Sequence, residues 1–202
     1  MVIGYHVVLS AYGFWLPNDP RGSWSEFVRT WELRRFGEAT KVETRHSVAK
    51  KAHDVSVRLG AKQALSYPAV SFTGEQAQAI GAGFKKYVEK SGVVVWACAI
   101  LPEHVHLLLA RHTYKVEQVT NLMKGVASKE LLDRGLHPLA EYADENGKTP
   151  SCWGERRWKV YLDSPEGIER AVPYVERNPE REGKPRQQWS FVTHYWSPTA
   201  PR

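Results

Sequence analysis

Two apolar runs, Val93–Leu101 and His104–Ala110, are separated only by Pro102 and Glu103. Runs of this length rich in Val, Ile and Leu are strand-like, and so short a connection joins them as an antiparallel hairpin. This hairpin limits the folds open to the chain. A sheet has to be built around it, and apolar residues on both of its faces put it at the centre of that sheet rather than at an edge.

The rest of the sequence supplies what surrounds the hairpin. Residues 2–10 form another β-branched run, which ends at Ala11-Tyr12-Gly13 and reads as a buried strand. Thr73 and Gln76 have the spacing of a capping box and predict a helix over 75–90 that ends at Gly92. Its core stripe is Ala77, Ile80, Phe84, Tyr87 and Val88. A second amphipathic helix is predicted over 115–134, with Val116, Val119, Leu122, Met123, Val126, Ala127 and Leu131 inward. After a loop at about 137–151 come a short strand, Trp158–Leu162, and a third helix that starts at Ser164-Pro165-Glu166 and runs to Asn178-Pro179. This order gives an α+β class, best fitted by a ferredoxin-like antiparallel sheet with helices on one face.

At 202 residues the chain suits one domain over 1–180, interrupted by a basic insertion at about 17–68 that holds Lys41, Arg45, Lys50, Lys51, Arg58 and Lys62. A tail, 181–202, is too polar to fold alone, but Trp189, Tyr195 and Trp196 make it aromatic enough to dock on the domain. The longest apolar run is half the roughly 20 residues of a membrane helix. Cys98 and Cys152 are too few for a disulfide framework, which fits a reducing, cytoplasmic setting.

His104 and His106 alternate with Val105, so on a strand both imidazoles face the same way. In a buried central strand, each uncompensated imidazole carries a desolvation cost of about 1–3 kcal/mol. A divalent ion relieves that cost and leaves positions open for phosphate oxygens. Tyr174 and Asn178 are four residues apart, which puts them on one helix face, one turn apart. Taken alone, that pair reads sooner as a core aromatic and a C-cap before Pro179; joined to His104 and His106 it reads as part of one site.

The run Ile100–Leu109 resembles the histidine-hydrophobe-histidine motif of the HUH single-strand endonucleases. With Tyr5-His6-Val7-Val8-Leu9-Ser10 near the start and Tyr174-Val175-Glu176-Arg177-Asn178-Pro179 near the end, the chain resembles the REP-associated tyrosine transposases over about residues 2–180. These are relatives of the smallest single-tyrosine insertion-sequence transposases. The resemblance implies the HUH endonuclease fold and a metal-dependent enzyme that nicks and rejoins single-stranded DNA. It implies Mg²⁺ or Mn²⁺ on His104 and His106, Tyr174 as nucleophile, and Asn178 completing the ligand set, with Glu176 as the alternative. Cleavage would leave a 5′-phosphotyrosine and a free 3′-hydroxyl. A monomer is implied over a dimer that exchanges the tyrosine helix. Pro173, just before Tyr174, departs from the pattern and predicts a kink. It favours the competing reading, a catalytically inactive or domesticated protein that still binds DNA hairpins.

The net charge of +6 suits a polyanionic partner. Lys124 and Lys129 on the second helix, and Arg156, Arg157 and Lys159 beside Trp153 and Trp158, are the candidates for tracking phosphates and stacking on bases of hairpin DNA.

Overall fold

The computed structural model describes residues 1–16, 31–37 and 54–196. Strands β1 (Gly4–Ala11), β2 (Val95–Ile100), β3 (His104–Ala110) and β4 (Trp153–Leu162) form a four-stranded sheet in the order β2-β3-β1-β4. Strand β3 is thus central as expected, whereas β2, expected at the centre with it, is an edge strand because β1 takes the place on the other side of β3. Each neighbouring pair is antiparallel. The helices are α1 (Trp31–Arg34), α2 (Val55–Gln63), α3 (Gly74–Ser91), α4 (Val116–Asp133), α5 (Pro165–Glu176) and α6 (Asn178–Arg181). With α3 between β1 and β2, and α4 between β3 and β4, strand order and connections are ferredoxin-like, and the class is α+β.

Strand alternation divides the apolar residues between two layers. Val7, Leu9, Val105, Leu107 and Leu109 enter the core beneath α3 and α4. Ala97, Ala99 and Leu108 point the other way and are covered by Ile168 and Val175 of α5. Helices on one face therefore describes α3 and α4 but not α5, which lies across the sheet from them. Since β2 and β3 are apolar on both faces, a single helical layer would leave half of that surface wet.

Local chemistry sets the ends of α3. Thr73 Oγ1 accepts from the Gln76 amide at 3.2 Å, and Gln76 Oε1 accepts from the Thr73 amide at 2.9 Å. Gly92 closes the helix at φ 69°, a left-handed conformation that costs glycine little. Helices α3 and α4 approach closely, because a Cβ at Gly83 would lie 2.7 Å from Ala127 Cα. Leu122, read as core, is instead 44% exposed; Thr120 and Glu130 are the additional buried residues of α4.

Glu130 is buried between cations that it holds at the protein surface. Its Oε1 accepts from Arg134 Nε and Nη2 at 2.8 and 2.6 Å, and its other oxygen pairs with Lys86 of α3. Hydrogen bonds from Lys86 and then Arg134 hold the carboxyl below the usual 4.5. The stabilisation is thus complete above that ordinary value and is lost as pH falls through the lower folded one. Glu130→Gln is expected to cost about 1 kcal/mol at neutral pH. In urea unfolding, the gap from the parent protein should narrow as the pH falls below the ordinary carboxylate range; a gap of unchanged size in acid would remove the ion pair as its cause.

The last strand is longer than the sequence suggests. It begins at Trp153 rather than Trp158, because Ala11 of β1 pairs with Trp153 beyond a register shift. Helix α5 continues through Pro173 to Glu176, so the proline does not end it. Arg177 separates α5 from α6, whereas the sequence predicted a single helix through Asn178.

Residues after α6 return along β2. The Gln187 side chain accepts from the Ile100 amide at 2.8 Å and donates to the Ile100 carbonyl at 2.7 Å. Val192 makes a parallel bridge to Val95, and Phe191 is buried in the core. Of the basic insertion, Lys41, Arg45, Lys50 and Lys51 lie outside the described residues, as does the tail beyond Trp196. Within the insertion, Leu33 and Ala61 form a small cluster with Leu16, and Lys62 reaches Glu103 at 3.3 Å.

Candidate active site

The α5 side of the sheet carries the histidines. Register places Val8 opposite His106 and Ser10 opposite His104, so His6 follows on the same face of β1, diagonal to His106. His6 Nε2 and His106 Nδ1 are 3.0 Å apart, and the two rings are stacked. The His104 ring stands edge-on to His106, centroids 4.8 Å apart, and stacks on Phe14 at 4.9 Å.

Helices α5 and α6 bring the other groups. The Tyr174 ring meets His6 and His106 edge-on, with centroids 5.8 and 6.0 Å away. Arg181 lies over the Tyr174 ring at 5.0 Å. Asn178 is 8% exposed, and its Nδ2 has no hydrogen-bond partner among the described residues. Glu182 Oε1 is 3.9 Å from His104 Nε2. His104, His106, Tyr174, Asn178, Glu182 and Lys184 line one cleft of about 500 Å³.

Burial pushes the His6 imidazolium down to about 4. It also depresses His106 well below the ordinary histidine value, with the neighbouring His104 and His6 adding to the effect. Both rings are therefore neutral at pH 7, the form in which imidazole offers a lone pair to a metal.

The donor set fits a divalent cation. Two imidazoles, the carboxylates of Glu103 and Glu182 and an amide line the same cleft, and nitrogen and oxygen donors together suit first-row divalent ions. The unpartnered end of the Asn178 amide supports this fit, because rotation about Cβ–Cγ presents its carbonyl oxygen in place of Nδ2. Among the described residues, no group of three or more His, Cys, Asp and Glu side chains is already arranged around an ion position. Glu176, the alternative third ligand, instead pairs with Arg186 at 3.1 Å.

Among the described side chains, the basic and aromatic candidates are engaged in different places. Lys124 Nζ donates to the Gly154 carbonyl at 2.9 Å, and Lys129 pairs with Asp133 at 2.8 Å. Lys159 pairs with Glu117 of α4 and lies 5.0 Å over the Tyr161 ring, on the face away from the histidines. Trp153 is corrected from a stacking platform to a core residue: it is 3% exposed, tilted against Phe72, and donates its indole N–H to Ser128. Trp158 stands edge-on to His6 at 5.2 Å, on the cleft side of the sheet. Arg156 and Arg157 belong to β4 through their backbone, and their side chains lie outside the described residues.

Sequence reasoning missed four groups near this site, Lys184 of the tail among them. Glu182 continues the four-residue spacing of Tyr174 and Asn178, a signal hidden by the break at Arg177. Arg181 sits three residues beyond Asn178. His6 alternates with Val8 in an apolar strand, but only the register ties it to His106.

Residues 65–159 match the family model described as "Transposase IS200 like". That span includes β2, β3 and both core helices but neither His6 nor Tyr174. None of the curated proteins matches the sequence significantly. Among solved structures, one of a REP-associated tyrosine transposase bound to a REP hairpin is 12% identical, with a TM-score of 0.48, covering 94% of this chain and 74% of that one. A presumed transposase from Deinococcus radiodurans R1 is 11% identical, with a TM-score of 0.42, covering 88% of this chain and 91% of its own.

Proposed function

We propose, taking as premise the match of residues 65–159 to the IS200-like transposase model, that the protein is a metal-dependent single-strand DNA endonuclease and strand transferase acting at DNA hairpins. One observation carries the reading: Tyr174 and Asn178 share a cleft with His104 and His106, although about 70 residues separate the two pairs in sequence. A core aromatic and a routine C-cap would not need that meeting place.

His104 and His106, with Asn178 as third ligand and Glu182 within reach, would hold Mg²⁺ or Mn²⁺. When bound, the ion supplies charge that polarises the phosphoryl group and steadies the leaving oxygen. Tyr174 is 40% exposed, so its hydroxyl can meet a strand entering the cleft. Its oxygen attacks phosphorus in line; the new O–P bond replaces the bond to the 3′-oxygen. The phenol proton is lost to solvent, and the departing alkoxide takes a proton to leave a 3′-hydroxyl. The 5′-phosphotyrosine conserves the phosphodiester, so reversal with another 3′-hydroxyl rejoins strands without ATP. Lys184 and Arg181 supply positive charge beside the path of the phosphates.

In this reading one copy of the chain supplies the histidines and the tyrosine, and the protein acts as a monomer. Among the described residues, no helix is long and apolar enough to cross a membrane.

The test uses labelled single-stranded oligonucleotides from palindromes flanking the gene, incubated with protein and Mn²⁺. A denaturant-resistant protein–DNA adduct is expected, and chelation of the metal should abolish it. Tight hairpin binding by folded protein without an adduct would overturn the enzyme and leave a binding module.

A further inference from the structure

We propose that His6 is a positioning residue that fixes the tautomer of His106. This rests on the reading of His104 and His106 as metal ligands. The 3.0 Å separation of His6 Nε2 from His106 Nδ1 is a hydrogen bond, so one ring donates and the other accepts. If His106 donates from Nδ1, its Nε2 keeps the lone pair. If His6 donates, His106 carries its own proton on Nε2, where it blocks coordination through that atom. A metal-competent His106 with Nε2 as its donor atom therefore requires His6 as acceptor.

The surroundings hold His6 in this role. It is 7% exposed, it belongs to a strand paired on both sides, and the Trp158 ring abuts it edge-on at 5.2 Å. A second imidazole on the outer nitrogen of a ligand histidine does the work commonly done by a carboxylate or a carbonyl: it orients the ring and selects the tautomer. Here the outer partner bears no negative charge, so it directs the proton without adding an anion beside the DNA phosphate. Tyr174 meets both rings edge-on, so the imidazole pair also forms the surface against which the tyrosine rests.

Two measurements on the full-length protein without DNA test this. In the first, long-range ¹H–¹⁵N correlation of the metal-free protein should find His106 protonated on Nδ1; protonation on Nε2 would overturn the proposal. In the second, Mn²⁺ binding is followed by the electron paramagnetic resonance of the free ion. His6→Phe keeps an aromatic ring but removes the acceptor, and should weaken binding about 10- to 100-fold. His6→Gln restores an acceptor oxygen and should recover most of it. Equal loss in both variants would assign His6 to packing and overturn the proposal, as would unchanged binding in folded His6→Phe. If His6→Phe fails to fold, His6→Gln and the His106 tautomer decide. His104→Ala separates the two levels. Wild-type protein that binds no Mn²⁺, or binding indifferent to His104→Ala, overturns the metal reading and the role of His6 with it. Binding that needs His104 but ignores His6 overturns only the latter.

Discussion

Tyr174→Phe is expected to reduce strand cleavage at least about a thousandfold and to eliminate the covalent adduct, with hairpin binding retained. The substitution removes a single oxygen. The ring contacts with His6, His106 and Arg181 depend on the aromatic face and edge, and phenylalanine keeps them. Loss of cleavage with the cleft otherwise intact would thus assign the nucleophile rather than report a disturbed fold. Gel quantification of adduct and of free 3′-end product, beside a binding titration, makes the distinction. Cleavage that survives in the variant would move the nucleophile elsewhere and dissociate Tyr174 from the chemistry.

The second large effect concerns the layer behind the sheet. Gly83→Val should cost about 3 kcal/mol, the upper part of the range for overpacking a filled interior. At this chain length that lowers the thermal midpoint by about 10 °C. A Cβ at Gly83 would meet Ala127 Cα at 2.7 Å, Ala127 N at 3.0 Å and the Val126 carbonyl oxygen at 3.1 Å. These are main-chain atoms and cannot rotate away, so α3 and α4 would have to part. Gly125 gives the opposite sign: a Cβ there meets nothing within 4 Å. Gly125→Ala should therefore stabilise the protein by about 0.4–1 kcal/mol through the unfolded chain. Calorimetry on both variants checks the pair, and similar midpoints would contradict the close approach of the two helices.

The elements legible in the sequence were those whose signal is local. Thr73, Gln76 and Gly92 set the ends of α3 within a few residues of themselves, and the hairpin around Pro102 and Glu103 needs only adjacent runs. What sequence could not supply depends on partners far along the chain. Trp153-Gly154-Glu155-Arg156-Arg157 looks too polar for a strand, yet β1 offers it a ladder, so β4 begins there. Lys124 and Lys159 looked available for phosphates because their partners, the Gly154 carbonyl and Glu117, lie 30 and 42 residues away. Trp153 looked like a surface platform until the sheet folded it against Phe72.

At the candidate site the same rule holds. Alternation predicted that His104 and His106 share a face, and helical spacing predicted the same of Tyr174 and Asn178. The meeting of the two pairs follows from α5 crossing the opposite face of the sheet from α3 and α4, and no spacing encodes that. His6 is one hundred residues from His106. Its part emerges only from the register of β1 against β3, where a shift of one residue would turn it into the core beneath α3 and α4.

The segment along β2 has a consequence for the protein in a crowded cell. The outer strand of a sheet is a template on which any extended chain can polymerise, and β2 is almost wholly apolar. Here Gln187 offers its side-chain amide to both main-chain groups of Ile100, while the Thr193 amide takes the Val95 carbonyl. A single glutamine thus imitates a neighbouring peptide group and ends the ladder. The chain uses residues 187–193 as a stopper at both ends of this outer strand, so that Ile100 and the Val95 carbonyl are already taken when a stranger arrives.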